Sequence, residues 1–287
     1  MANGLAGTEN GDDTYRLLMT GAAGNMGRLL RPLLRREGRV VRLADLVEIE
    51  DPQPGEEIIA ADLTDADAIA KACQGVDAVL HLGGISLEAP FDDVLAVNVV
   101  GTQNLLRAAI EAGVPKVVLA SSNHAVGFYA RGEVPPGSDG LPGDVPPRPD
   151  TYYGWSKAAI ESLGALYHYR YGIDVTALRI GSCFAEPMDA RALATWLAPS
   201  DAAQLVEAAL DNQQPGFRVV WAVSDNTRRW FSLSGARALG YEPTEDAERF
   251  AESRIAADGE PNLSDPMHDL VGGGFIKAPL GEPMRRS

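Results

Sequence analysis

Lysine is nearly missing from this chain. Lys71, Lys116, Lys157 and Lys277 are the four lysines among 25 basic residues, set against 40 acidic ones. The net charge of −15 argues against nucleic-acid binding, because phosphate contacts need a basic surface. Scarce lysine beside abundant Asp and Glu reads as a salt-adapted surface or as the trace of a GC-rich genome, and we favour the first. Cysteine is also rare. Cys73 and Cys183 lie far apart, which gives neither a disulfide framework nor a metal-ligand cluster. No metal is therefore expected, and a reducing cytoplasm is the default compartment. No apolar run approaches the ~18 to 20 residues of a membrane span. Met1 to Tyr15 lacks the apolar core of a signal peptide, and its Gly, Asn and Asp content predicts a disordered tail over residues 1–15.

What remains is an ordinary soluble composition, 45% hydrophobic and 23% charged over 287 residues, enough for one large domain or two modest ones. Within it the pentapeptide Tyr153-Gly154-Trp155-Ser156-Lys157 stands out. Two residues four apart on a helix share a face one turn apart, so the Lys157 ammonium sits near the Tyr153 phenol. A phenol ionises near pH ~10, and a fixed positive charge beside it favours the phenolate, giving a general base usable near neutrality. A bare Tyr-x-x-x-Lys is more often an amphipathic helix, so the rest of the chain has to decide. Tyr152 is five residues from Lys157, about 140° round an ideal helix, which favours Tyr153.

The chain supplies a cofactor site. Arg16 to Thr20 is an apolar strand running into Gly21-Ala22-Ala23-Gly24-Asn25-Met26-Gly27 and then a helical pattern. Strand, glycine turn, helix is the context that makes such a string a pyrophosphate cradle. Pro32 inside that helix is a local oddity worth roughly 3 kcal/mol. Asp45, 18 residues after Gly27, stands where an acid binds the adenosine ribose hydroxyls and repels a 2′-phosphate, favouring NAD over NADP. Further strands are expected at Glu57–Ala60, ending at Asp62-Leu63, at Asp77–His81, at Val117–Ala120 and at Val175–Leu178. Helices are expected at Asp65–Cys73, Asp92–Ala112 and Tyr152–Tyr171. Leu82-Gly83-Gly84 after the fourth strand permits close approach of a cofactor, whereas His81 is expected to bond locally. The βα alternation implies a parallel sheet covered on both faces, an α/β Rossmann-type doubly wound fold. From 131 to 149 a loop with six prolines lies over the strand ends. The expected division is residues 16–180 as an NAD-binding Rossmann domain and 181–287 as a smaller C-terminal substrate-binding lobe.

The glycine string, Ser122 after the fifth strand and Tyr153-x-x-x-Lys157 resemble the extended short-chain dehydrogenases/reductases over residues 16–185. The strings His81-Leu-Gly-Gly-Ile-Ser86, Ser121-Ser-Asn-His124 and Arg179-Ile-Gly-Ser-Cys183, with Glu186-Pro187 and Arg191 beyond, resemble bacterial and archaeal uronate dehydrogenases. That resemblance implies NAD-dependent oxidation of glucuronate or galacturonate at C1 to the aldarolactone. It implies Tyr153 as the base, Lys157 as its partner and ribose contact, and Ser122 as hydrogen-bond partner of the reacting oxygen. Cofactor contacts carry over to Gly21, Gly24, Asn25, Met26, Gly27, Asp45, Leu46, Asp62, Leu63, Leu82, Gly83, Gly84 and Cys183. Ser86, Asn123, His124 and Ser182 would bind sugar hydroxyls, and Arg191 would clamp the C6 carboxylate. Spacing alone leaves Ser121 as an alternative to Ser122; the family register selects Ser122. The 131–149 loop is longer than in the family and is expected to form part of the wall over the sugar. A homo-oligomer in the cytoplasm is expected.

Three rival readings accompany this one. They are a neutral aldose 1-dehydrogenase acting for example on arabinose, a nucleotide-sugar epimerase with Arg228 and Arg229 on the diphosphate, and a non-catalytic NAD(P)-sensing protein.

Overall fold

The computed structural model of the chain describes residues 14–284. Of the expected tail, residues 1–13 lie outside the described residues, while Tyr15 already opens the first strand. The main sheet has seven parallel strands in the order β3-β2-β1-β4-β5-β6-β9. They are β1 (Tyr15–Thr20), β2 (Arg39–Asp45), β3 (Glu56–Ala60), β4 (Ala78–His81), β5 (Lys116–Ser122), β6 (Asp174–Ile180) and β9 (Phe217–Ala222). A short parallel pair, β7 (Ser182–Cys183) and β8 (Trp196–Leu197), stands apart.

Side chains alternate across a strand, so a sheet buried on both faces needs apolar residues at odd and even positions alike. Leu17, Met19, Leu80 and Val118 face one layer, where Leu30 and Leu34 of α1 (Asn25–Leu34) meet Leu205, Val206 and Leu210 of α7 (Pro199–Asp211). Leu18, Val79, Val117 and Leu119 face the other layer. That side is covered by α2 (Ala66–Cys73), α4 (Gly101–Glu111) and α5 (Tyr152–Tyr171). Each fully buried Leu or Val contributes about 1.5–3 kcal/mol, so this two-faced pattern holds the sheet between the two helix layers.

Three expectations are corrected. The helix expected over Asp92–Ala112 is not uniform: α3 (Phe91–Val94) passes through a π-helical turn, Leu95–Val100, before α4 begins. Residues 181–287 are not confined to a separate lobe. β9 pairs with β6 from Val175↔Phe217 to Ile180↔Ala222, and α7 packs beside α1. The alternation broke down in sequence because β7, α6 (Ala192–Thr195) and β8 intervene before the last βα unit. Finally, the 131–149 loop does not wall the site. Leu141 O accepts from Trp221 Nε1 at 2.8 Å and Val145 O accepts from Arg179 Nη1 at 2.9 Å, which lays the loop along β6 and β9. Pro32 is accommodated near the end of α1, which stops two residues later at Leu34.

Candidate active site

Strand ends, glycine turns and two late segments enclose a cavity of about 1470 Å³ at the carboxyl edge of the sheet. Every residue singled out above as catalytic, cofactor-binding or substrate-binding lines it. The glycine turn is tight for a physical reason. Gly21 has φ +69°, and a Cβ there would fall 2.6 Å from Gly83 N; one at Gly27 would fall 2.6 Å from Ala22 O. Helix α1 starts at Gly24 with no side-chain cap and no acid in its first turn, so its amides stay available to an anion. Asp45 ends β2, and its carboxylate accepts from Ala23 N at 2.8 Å and Val47 N at 3.0 Å, holding it against the turn. Asn25 donates to Cys183 O at 3.1 Å, and burial pushes the Cys183 thiol up to about 12, so it is no nucleophile. Uncapped helix, side-chain-free turn and strand-end acid together fit a dinucleotide such as NAD.

Helix α5 starts at the Thr151 cap, whose Oγ1 accepts from Gly154 N at 3.0 Å, and ends at Gly172 in the left-handed region, φ +79°. Between them Tyr153 and Lys157 are both buried, with Nζ 5.7 Å from the phenol ring centroid. Nζ donates to Ala120 O at 2.7 Å. Burial lowers the Lys157 pKa to about 8, with Glu161 opposing the shift. The same burial, reinforced by the Lys157 charge, pushes His81 down to about 3. His81 spends both ring nitrogens on Thr20 (2.7 Å) and Thr102 (3.0 Å), the local role expected of it.

The competing side chains point elsewhere. The Tyr152 ring meets Phe91 edge-on at 5.3 Å in a separate surface cavity. Ser121 Oγ donates to Glu161 at 2.5 Å, inside a buried bridge where Arg179 donates to both Glu161 oxygens at 2.9 and 2.8 Å. Both serines line the cavity, but Ser122 Oγ lies outside that bridge, donating to Asn123 Oδ1 at 3.1 Å and accepting from His124 N at 3.2 Å. Arg228 and Arg229 are paired with Glu248, Glu260 and Asp225, and neither lines the cavity.

Arg191 sits at the far wall. Its Nη2 donates to Val271 O, and its guanidinium lies against Gly273 (φ +57°), where a Cβ would come within 2.4 Å of Nε. Burial lowers its pKa, opposed by Asp189 and Asp150. Ser182 Oγ lies 3.2 Å from Thr195 Oγ1, and Asn123 donates to Val271 O at 2.9 Å.

Sequence reading missed the rest of that wall. Met188, Asp258, Phe275 and Met284 line the cavity, Phe275 stacked on His124 at 3.9 Å between centroids. It also missed Glu88, a buried acid that accepts from Tyr153 N at 2.9 Å and Gly281 N at 2.8 Å, tying the C-terminal segment to α5. Asn98, inside the helix expected over Asp92–Ala112, is a further one. Carried by the π turn, its amide exchanges hydrogen bonds with Ile85 and donates to Ser156 Oγ at 2.9 Å, fixing the 84–86 turn to α5. A polar residue inside an apolar helix was the available signal.

Comparisons agree with this geometry. Residues 17–231 match the NAD dependent epimerase/dehydratase family. The uronate dehydrogenase of Pseudomonas syringae pv. tomato is 40% identical, covering 93% of this chain and 95% of its own. An NAD-dependent glucose-6-phosphate dehydrogenase of Haloferax volcanii is 37% identical over 85% of this chain and 97% of its own. A tyrosine-to-alanine variant of the Agrobacterium tumefaciens uronate dehydrogenase, solved with NAD, superposes with a TM-score of 0.86. It is 39% identical, covering 93% of this chain and 98% of its own. By these matches and the fold that carries them, the chain belongs to the NAD dependent epimerase/dehydratase family and, within it, groups with the uronate dehydrogenases.

Proposed function

We propose that the protein oxidises a hexuronic acid, D-glucuronate or D-galacturonate, at C1 to the aldarolactone with NAD. One observation carries the reading: the Arg191 guanidinium lines the same cavity as Tyr153, Lys157 and the glycine turn. A planar fork of N–H donors suits the two oxygens of a C6 carboxylate. NAD, when bound, supplies the hydride acceptor. The chain's own residues manage the proton and the pose. Tyr153 takes the proton of the C1 hydroxyl, and Lys157, anchored on Ala120 O, favours the phenolate by its charge. Ser122 Oγ hydrogen-bonds the reacting oxygen, while Ser86, Asn123, His124 and Ser182 meet sugar hydroxyls. Asp45 selects a cofactor without a 2′-phosphate.

A screen by NADH absorbance tests the reading, with the two uronates run against glucose, arabinose and glucose 6-phosphate. We expect the uronates to give the highest kcat/KM. The 6-phosphate is the comparison that matters, because a guanidinium fork suits both anions, and its preference over the uronates would move the reading to a sugar phosphate. Arg191→Ala should lower kcat/KM on glucuronate by about 100-fold, the scale of a lost charged hydrogen bond, while sparing neutral aldoses. Equal losses on both would remove Arg191 from the carboxylate. Tyr153→Phe should lower kcat by about 10²–10⁴-fold and leave NADH binding intact by fluorescence titration. Undiminished turnover there would end the mechanism.

The same reading places the protein in the cytoplasm as a homo-oligomer. Leu166 and Tyr169, three residues apart on one face of α5, stay exposed, an apolar surface suited to burial between copies. Among the described residues no helix is long and apolar enough to cross a membrane.

A further inference from the structure

Asp150 is a buried carboxylate for which the reaction above has no use. It immediately precedes the Thr151 cap of α5, and its side chain is 0% exposed. One oxygen, Oδ2, lies 2.7 Å from His124 Nδ1, and Oδ1 accepts from Thr151 Oγ1 at 2.9 Å. A single carboxylate thus joins His124 to the first turn of the helix that carries Tyr153 and Lys157. The chain around it is stripped of side chains. A Cβ at Gly127 would fall 2.1 Å from Oδ2, one at Gly272 2.0 Å from the same atom, and one at Gly154 2.7 Å from Oδ1. Glycines from three separate segments close over one acid, which a capping aspartate at the surface would not require.

We propose that Asp150 is a positioning residue of the sugar site: it holds His124 as the Nδ1–H tautomer, presenting Nε2 to the cavity as the acceptor for a sugar hydroxyl. The ligand in this statement rests on the sugar-acid reading; the tautomer rests on the contact with Asp150, whatever the ligand. An ionised carboxylate only accepts, so the proton in the 2.7 Å bond belongs to Nδ1, and the neutral ring then carries its lone pair on Nε2. Stacking on Phe275 at 3.9 Å holds the ring plane, and the ring lines the cavity. Arg191 and Lys157 on the other walls are donors. Beside these donors a fixed acceptor favours an anion that also brings a hydroxyl proton at that position.

Nitrogen-15 NMR of the full chain tests this, because it reads the tautomer in the wild type itself. The chain has four histidines, His81, His124, His168 and His268, and the spectrum of His124→Gln assigns the signal. We expect His124 as Nδ1–H in the wild type, and loss of that preference in Asp150→Ala. A wild-type His124 in the Nε2–H form, or doubly protonated across the working pH range, overturns the proposal. Kinetics adds a second arm. Asp150→Ala and His124→Gln should each raise the KM for the sugar acid about tenfold, and the double variant no further, because one residue acts through the other. NADH affinity should not move. Additive effects, or a wild-type KM in Asp150→Ala, overturn it. If the substrate screen favours glucose 6-phosphate or a pentose, the tautomer spectrum still decides the role of Asp150, so the two readings fail separately.

Discussion

At the scale of single residues, Lys157 is the group under most tension. Its ammonium is buried, it donates to a backbone carbonyl, and its pKa falls from 10.5 to about 8. A lysine whose pKa drops on folding destabilises the folded state wherever both states are protonated, which is below about 8. Between about 8 and 10.5 the folded side chain sheds its proton while the unfolded one keeps it. The unfolded state then binds more protons, so stability rises with pH in that window. The shift corresponds to about 3 kcal/mol. Without cofactor, wild type should therefore gain on Lys157→Met as pH rises from ~7 to ~10, measured by urea denaturation of both. A difference that stays constant would mean the ammonium is better solvated than its burial suggests. The residues proposed to carry the chemistry were legible because their spacing is local: Tyr153 and Lys157 four apart, Gly21, Gly24 and Gly27 three apart. Asp150, Phe275 and Glu88 were not, because each acts on a residue far along the chain, and no periodicity marks such a pair.

At the scale of elements, α5 is held at both ends and in the middle. Thr151 and Glu88 bind its first-turn amides, Gly172 ends it, and the Arg179–Glu161 bridge ties its centre to β6. That bridge is 2% and 5% exposed, so neither charge finds water if the other is lost. Removing one partner of such a pair costs about 3–5 kcal/mol, far more than an exposed pair contributes. Glu161→Gln should show a loss of that size by chemical denaturation, and a loss below about 1 kcal/mol would mean Arg179 relaxes onto Val145 O and water. The π turn at Leu95–Val100 is the other element that decides the site, since it brings Asn98 to Ile85 and Ser156. Sequence placed a helix there correctly. The extra residue in its turn was invisible because one widened turn is too short to alter a pattern read over several turns.

At the scale of the whole molecule, an excess of 15 negative charges is spread over a folded surface. Exposed ion pairs such as Arg228–Glu260 and Arg249–Glu245 weaken in salt, but each contributes only about 0–1 kcal/mol. Screening of the uncompensated acids acts in the opposite direction and over more of the surface. Raising KCl from about 0.1 to about 1 M shortens the screening length from ~10 to ~3 Å, and Tm should rise. A flat or falling Tm would assign the acidic composition to genome bias.

The sequence by itself determined the layered α/β sheet, because strands buried on both faces must be apolar at every position. It also determined the cofactor turn and the Tyr-Lys pair, whose residues lie within one loop or one helical turn. Only the tertiary structure decided that β9 completes the sheet and that the proline-rich loop lies along β6 and β9. Only it decided that the far wall of the site comes from the C-terminal segment, with Arg191 against Gly273 and Asp150 enclosed by three glycines. Those arrangements depend on close approach between segments well apart in sequence, Asp150 and Gly272 among them, and the room a glycine leaves has no meaning until its neighbour is in place.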